Sequence, residues 1–394
     1  MSELNAPSIR PVEDHDVIVV GARCAGAATA LLLARRGLRV LVLERGRRGA
    51  DTLSTHALMR GGVGYLHRWG LLDRIVAAGT PPIRQTRFHY ADETMTVSIR
   101  PAAGVDALYA PRRTLLDTVL VDAAVEAGAD VRHGVTVTDL LRDDSGRVTG
   151  VTARTRDGGT LRARAWLTVG ADGVRSLVAR RADARPVRVG TGAGGIVYGH
   201  WRGLDVTGYE WFYRRGVTAG LIPTNDGETC VFVGVPAERF AREIAGDLRG
   251  GYRRLLARVT GGADGRLAAA EPPRRLRGHP GRPGLVRQAW GPGWALVGDA
   301  GYYLDPLSSH GMTDALRDAF LLNRAVGGLL RGLPEAEALA GFQADRDRAG
   351  NLLFKAVDRI AGYHWDDHTI RGLLRELTSA MSEEIDIISR LGAG

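Results

Sequence analysis

The chain has 394 residues, 44% of them apolar, and a formal net charge of +9. That length allows a large core and roughly two to three domains. The longest early apolar run, Ala27 to Ala34, falls far short of the roughly 20 residues a membrane span needs, and the first 14 residues are polar with no signal-peptide core. A cytoplasmic protein without a transmembrane segment is expected, as a monomer or homodimer. The cations are spread along the whole chain, 52 of the 53 being arginine and only Lys355 lysine. No run of them is interleaved with aromatics, which argues against a nucleic-acid partner. Cys24 and Cys230 are too few for a disulfide framework and have no second ligand at metal spacing, so reduced thiols and no metal are expected.

In chain order, Asp16 to Val20 reads as a short strand ending at Gly21, and about Ala25 to Arg36 as a helix. A second strand, Leu38 to Leu43, ends in Glu44, which lies 44 − 21 = 23 positions after the first glycine. That is where a βαβ dinucleotide fold puts the acid that binds a ribose. The loop Gly21-Ala22-Arg23-Cys24-Ala25-Gly26 carries arginine where G-x-G-x-x-G has its middle glycine. Either Arg23 points away or it adds a cation to the pyrophosphate beside the helix N-terminus. Gly21, Ala22, Arg23, Ala25, Gly26, Glu44 and Arg45 are the candidate cofactor contacts here. Cys24 reads as a packing residue.

His56, in Thr52-Leu53-Ser54-Thr55-His56, is either a loop or core histidine or a residue of the substrate pocket. Thr86 to Arg100 and Ile196 to Val235 alternate β-branched and aromatic residues and predict an inserted antiparallel sheet, with Trp201, Trp211 and Tyr213 as aromatic pocket wall. Between these segments Arg113 starts a helix running to Ala127, and Val131 to Val137 returns as a strand that includes the candidate contact Val135. Further on, Val169-Gly170-Ala171-Asp172-Gly173-Val174-Arg175-Ser176 is a strand-to-helix turn in which Asp172 can accept backbone amides. Trp294 to Ala300 is a strand ending in Gly298-Asp299, followed by Asp305-Pro306 and His310-Gly311-Met312.

These two strings resemble the DG and GD fingerprints of the group A flavoprotein monooxygenases, the p-hydroxybenzoate hydroxylase family. The resemblance covers four ordered blocks between about residues 14 and 325. It implies FAD as cofactor, with Arg113, Asp172, Asp299, Pro306, Gly311 and Met312 as ligands and a helix N-terminus facing the flavin. It also implies NAD(P)H as a transient electron donor, molecular oxygen, and a hydrophobic or aromatic small-molecule substrate such as a natural-product scaffold. The implied fold is α/β: a discontinuous Rossmann-type FAD domain (1–75, 105–185 and 280–340), an inserted antiparallel β-sheet substrate domain (76–104 and 186–279) and C-terminal helices (341–394).

The chain departs from the family around the ring. Tyr302 follows Gly301 where the family has histidine after Gly-Asp-Ala-Ala, and Asp305 replaces the first proline of a Pro-Pro pair. Asp305 and His310 are therefore a candidate acid–base pair, with Tyr302 beside them. In the other reading Asp305 caps the turn and His310 fills the position before Gly311. A second branch of the superfamily, the geranylgeranyl reductases, is approached by Tyr209-Glu210-Trp211-Phe212-Tyr213, although Arg214 replaces their proline. Carbon–carbon double-bond reduction is thus the alternative to oxygenation. A halogenase is less well matched, since Lys355 lies in the C-terminal tail and the Trp-x-Trp-x-Ile-Pro string is missing. A noncatalytic flavin-binding protein is the remaining reading.

Overall fold

Val17–Val20, Val40–Glu44 and Leu167–Gly170 show no polar alternation and are buried along their whole length, the mark of strands covered on both faces. In the computed structural model, which describes residues 12–90, 93–102, 104–261 and 265–392, they form the middle of a six-stranded sheet. The order across it is Trp290–Gly291, Trp294–Leu296, Leu167–Gly170, Val17–Val20, Val40–Glu44, Asp130–His133, parallel except for the first pair. Register fixes the geometry that matters: Val20 lies level with Leu43 and Gly170, and Gly170 with Leu296. The turns after these strands therefore meet at one edge, the carboxyl end where open α/β sheets bind ligands. The polar start of the chain, residues 1–11, lies outside the described residues.

On one face of this sheet the helix Cys24–Ala34, every residue of it buried, packs against the helices Arg113–Glu126 and Gly311–Leu330. The single strand expected over 131–137 is two. Gly134, at φ +75°, breaks it, and Thr136–Arg142 leaves the parallel sheet for a meander with Val148–Arg154 and Thr160–Arg164.

A second, seven-stranded sheet draws its strands from residues 85–98 and 194–279, in the order Arg277–His279, Gly194–Arg202, Glu228–Pro236, Val217–Pro223, Tyr209–Arg214, Gln85–His89, Thr94–Ser98. It is not wholly antiparallel, because Tyr209–Arg214 runs parallel to Gln85–His89. That pairing joins two segments more than a hundred residues apart, which local alternation does not reveal. The C-terminal part is two long helices, Glu335–Ala361 and Thr369–Gly392, packed on each other, the first of them also against Gly311–Leu330. No helix among the described residues is long and apolar enough to cross a membrane.

Candidate functional site

The glycines at the sheet edge stand where backbones touch. A Cβ on Gly26 would lie 1.8 Å from the carbonyl oxygen of Gly21, and one on Gly21 would lie 2.5 Å from that of Ala171. A Cβ on Gly298 would fall 2.8 Å from the Ala25 side chain. The three turns interlock, and the helix Cys24–Ala34 starts at their junction with no side-chain cap from Arg23. Its first amides are thus available to an anion, apart from that of Cys24, which donates to the Asp117 carboxylate.

Around this junction the polar groups are held in place. Glu44, buried at the end of its strand, accepts from the Ala22 amide at 2.8 Å and from the Gly46 amide at 2.6 Å. It lines a small cleft with Ala22, Arg23, Gly46, Arg48, Asp117 and His133. A larger neighbouring cleft of about 530 Å³ is lined by Arg45, Arg47, Arg154 and Arg156. The amide of Val135 donates to the Glu44 carbonyl, which holds that residue at the same end of the sheet. Asp172 accepts from the Ser176 hydroxyl at 2.5 Å and from the Leu177 amide at 2.6 Å, so it caps the helix Leu177–Arg181 and fixes the turn against Gly21.

Arg112 and Arg113 point to different tasks. Arg112 crosses to Glu228 of the large sheet at 2.6 Å, whereas Arg113 pairs with Asp117 at 3.0 Å, and its charge reaches Cys24 and Asp299. Burial raises the Asp299 carboxyl to about 6 despite the opposing charge of Arg113. Gly311, the first residue of its helix, leaves a Cβ position 3.9 Å from Asp299 Oδ1, and the buried Met312 presents its carbonyl to the Cys24 thiol at 3.9 Å. Two helix N-termini, an acid at a strand end and a second acid thus gather at one edge of the sheet. These residues fit FAD: Glu44 for the ribose, the Gly21–Gly26 turn and Arg113 for the pyrophosphate, Asp299 for the ribityl chain and the Gly311–Met312 end for the ring. A Cβ at Gly26 would force the helix start away from the Gly21 and Ala171 turns, and with it the amides that face a pyrophosphate.

The ring-side residues are differently employed. Asp305 and His310 do not form a pair. Asp305 accepts from the Gly194 amide at 2.7 Å and the Leu307 amide at 3.0 Å, capping the turn Pro306–Ser308, and burial raises its carboxyl to about 6. His310 instead meets Glu384 of the last helix, Nε2 to Oε2 2.6 Å, with Asp314 at 3.9 Å. Burial pulls its pKa down, but the Glu384 and Asp314 carboxylates outweigh burial and leave it raised. Arg317, fully buried, binds Asp314, Asp318 and Glu384, lies 4.6 Å over the Tyr302 ring, and ties the knot to the strand-end turn because Asp318 accepts from the Gly298 amide at 3.0 Å. Tyr302 donates its hydroxyl to the Gly350 carbonyl at 2.7 Å and is core. Arg317, Asp314 and Glu384 escaped the sequence reading because nothing local links a charge at 310–318 to one at 384.

The large sheet sorts its aromatics by face. Tyr209, Trp211 and Tyr213 share one face with Tyr198 and Phe232 and pack toward Tyr363 and Trp365. Trp201 and Phe212 occupy the other face, where Trp201 Nε1 donates to the Tyr252 hydroxyl at 2.8 Å. Trp201 is therefore removed from the pocket wall. Strand side chains alternate faces, so Trp211, Phe212 and Tyr213 cannot all line one pocket. His56 faces the Tyr198 side. It is buried at φ +70°, its Nε2 lies 3.0 Å from that of His200, and burial depresses both imidazoles, His200 to about 4. His200 was missed, being one histidine in an otherwise apolar strand. Lys355 is exposed on the helix Glu335–Ala361.

The family model for the FAD binding domain matches residues 14–243, more than half of the chain. The chain belongs to this FAD-binding flavoprotein family. Protein FixC of Salmonella typhi is 37% identical over 57% of the chain, which spans only about half (50%) of FixC's own length. Digeranylgeranylglycerophospholipid reductase of Methanocella arvoryzae is 26% identical over 93% of the chain and 96% of the reductase. Among solved structures, PqsL of Pseudomonas aeruginosa in complex with 2-aminobenzoylacetate shares the fold at 24% identity and a TM-score of 0.72, covering 89% of this chain and 99% of PqsL.

Proposed function

We propose that the chain is a single-component, NAD(P)H-dependent flavin monooxygenase acting on an aromatic or hydrophobic small molecule. The observation that carries the reading is the aromatic face formed by Tyr209, Trp211, Tyr213, Tyr363 and Trp365, on the side of the large sheet where the Tyr198 hydroxyl accepts from the Ser54 amide of the loop after Glu44 at 3.1 Å. FAD, when bound, supplies the redox chemistry: it takes electrons from NAD(P)H and passes one oxygen atom of O₂ to the substrate, the other leaving as water. The chain's own residues bind and exclude. Glu44 would hold the ribose and Arg113 the pyrophosphate. The Gly311–Met312 amides place positive potential at the start of their helix, where negative charge on a reduced ring is stabilised. The aromatic face keeps water from the reacting centre.

One observation favours a second reading, reduction of a carbon–carbon double bond. The Methanocella reductase matches nearly end to end, and Tyr209, Trp211 and Tyr213 occupy one face as a tyrosine–tryptophan–aromatic series. Purified protein reduced anaerobically with NADH or NADPH and then mixed with oxygen in a stopped-flow instrument separates the two. A transient species distinct from both oxidised and reduced flavin supports oxygenation. Reduced flavin that transfers hydride to an isoprenoid alkene without oxygen supports the reductase, and failure of either nucleotide to reduce the flavin sinks the single-component proposal.

A further inference from the structure

His200 and Cys230 are direct cross-strand partners in the register of Gly194–Arg202 against Glu228–Pro236, so their side chains leave the same face side by side. Onto that face the loop after Glu44 lowers His56, held in the left-handed region at φ +70° and buried to 1% exposure. One donor atom from each of the three residues lies within 4.8 Å of the other two, the imidazole Nε2 atoms being 3.0 Å apart with the rings stacked at 5.2 Å. We propose that His56, His200 and Cys230 form a binding site for a single thiophilic d¹⁰ cation, Cu⁺ in preference to Zn²⁺.

The donor set fits such an ion. A zinc-sized ion sits about 2.0–2.1 Å from imidazole nitrogen and about 2.3 Å from thiolate sulfur, so these atoms share one ion after side-chain movements of up to about 1 Å. Thiolate and imidazole together select soft or borderline metals over calcium or magnesium. As the residues stand, the cluster is poorly satisfied. Two neutral imidazoles share one hydrogen bond, His56 Nδ1 is buried with no partner, and the thiol is fully enclosed. A non-glycine residue held at positive φ costs free energy that the surroundings must repay, and the arrangement it secures here is a convergence of three ligand atoms.

Charge decides between the two ions. The cations whose charge reaches His56, Arg112, Arg113 and Arg277, are already paired, Arg112 with Glu228 at 2.6 Å, Arg113 with Asp117 at 3.0 Å and Arg277 with Asp51 at 2.8 Å. Binding replaces the Cys230 thiol proton, which leaves as H⁺ while the S–Cu bond forms, and no electron moves. Two neutral imidazoles, one thiolate and Cu⁺ sum to zero, whereas Zn²⁺ leaves an uncompensated positive charge in a buried site.

The test uses the FAD-loaded protein under nitrogen with Cu⁺ supplied as its bicinchoninate complex, and flavin absorbance as the check on folding. Wild-type protein is expected to withdraw one equivalent. Cys230→Ala should bind at least 100-fold more weakly, and His200→Phe and His56→Asn at least 10-fold, asparagine being chosen because it tolerates positive φ. The proposal fails if wild-type protein withdraws no copper, if Cys230→Ala withdraws it undiminished while keeping its flavin, or if Zn²⁺ binds stoichiometrically and Cu⁺ does not.

Discussion

The cradle at the strand ends and the shell behind the ring are built by opposite means. The cradle is a matter of backbone: Gly21, Gly26 and Gly298 let three turns approach more closely than any side chain would allow, and Glu44 is pinned by two amides. The shell is a matter of charge: His310, Asp314, Arg317, Asp318 and Glu384 are buried together and pair across 74 residues of sequence, with His310 Nδ1 and Asp314 Oδ2 left without a partner among the described residues. Backbone approaches are intolerant of a single methyl group, and charge knots are intolerant of losing one member. Each region therefore fails in its own way, and substitutions can tell them apart.

The largest effect is expected in the cradle. Gly26→Ala puts a methyl 1.8 Å from the Gly21 carbonyl oxygen, which only a backbone shift can relieve, so FAD occupancy read from the flavin-to-protein absorbance ratio should fall at least 10-fold. Gly37→Ala is the contrast. Its φ is +82° but nothing lies within 4 Å of the added atom, so it should cost about 1 kcal/mol of stability and leave FAD occupancy unchanged. Full retention of FAD in Gly26→Ala would remove the close approach from the argument.

This contrast also sets what was legible in the sequence. The glycine turn, Glu44, Asp172 and Asp299 each sit at a fixed offset from a strand end, so spacing alone places them at one edge of a parallel sheet. The partner of His310 has no such offset. Asp305 stood five residues away as one candidate, and the other reading, that it caps the turn, is the one the structure has: a strand-to-helix turn leaves orphan amides, and the buried carboxylate accepts from that of Leu307. The faces of the large sheet were legible in principle, because alternation assigns Trp211 and Tyr213 to one side and Phe212 to the other. Which side met the loop carrying His56 required the pairing of the whole sheet, including its long-range parallel contact.

The shell should respond to Glu384→Ala with a loss of about 3–5 kcal/mol, because Arg317 and His310 are left as buried charges without their shared acceptor. Glu384→Gln keeps a hydrogen-bond acceptor and should lose less. Chemical denaturation measures both, and equal stability of Glu384→Ala and wild type would show that the knot does not bear on folding.

Titration sharpens the same comparison, because a buried acid beside the shell, Asp305, and one within it, Glu384, are shifted in opposite directions. The Asp305 carboxyl, ordinarily near 3.8, is raised by burial to about 6, so the folded chain holds this proton more tightly than the unfolded chain. Its contribution to stability is complete below the unfolded value and is lost as pH rises through about 6, a swing of up to about 3 kcal/mol. Glu384 is lowered to about 2 by His310 and Arg317, which outweigh its burial, so its contribution is present above 4.5 and is lost as pH falls toward 2. Asp305→Asn should lower the proton uptake linked to folding between pH 4 and 6 by up to one proton. An unchanged slope would place the raised carboxyl elsewhere.

The smallest effect is expected on the far face of the large sheet. Trp201→Phe removes the indole N–H that donates to Tyr252, but the Tyr252 hydroxyl keeps its own donation to the Val231 carbonyl at 3.2 Å, so nothing buried is left without a partner. The cost should be about 1 kcal/mol from the lost hydrogen bond and the reduced volume. The flavin spectrum and the rate of NAD(P)H oxidation should not move, because the sheet backbone separates Trp201 from the face that carries Tyr198, Trp211 and His200. A shift in either would return Trp201 to the pocket wall and overturn the assignment of faces from which the aromatic series Tyr209, Trp211 and Tyr213 draws its meaning.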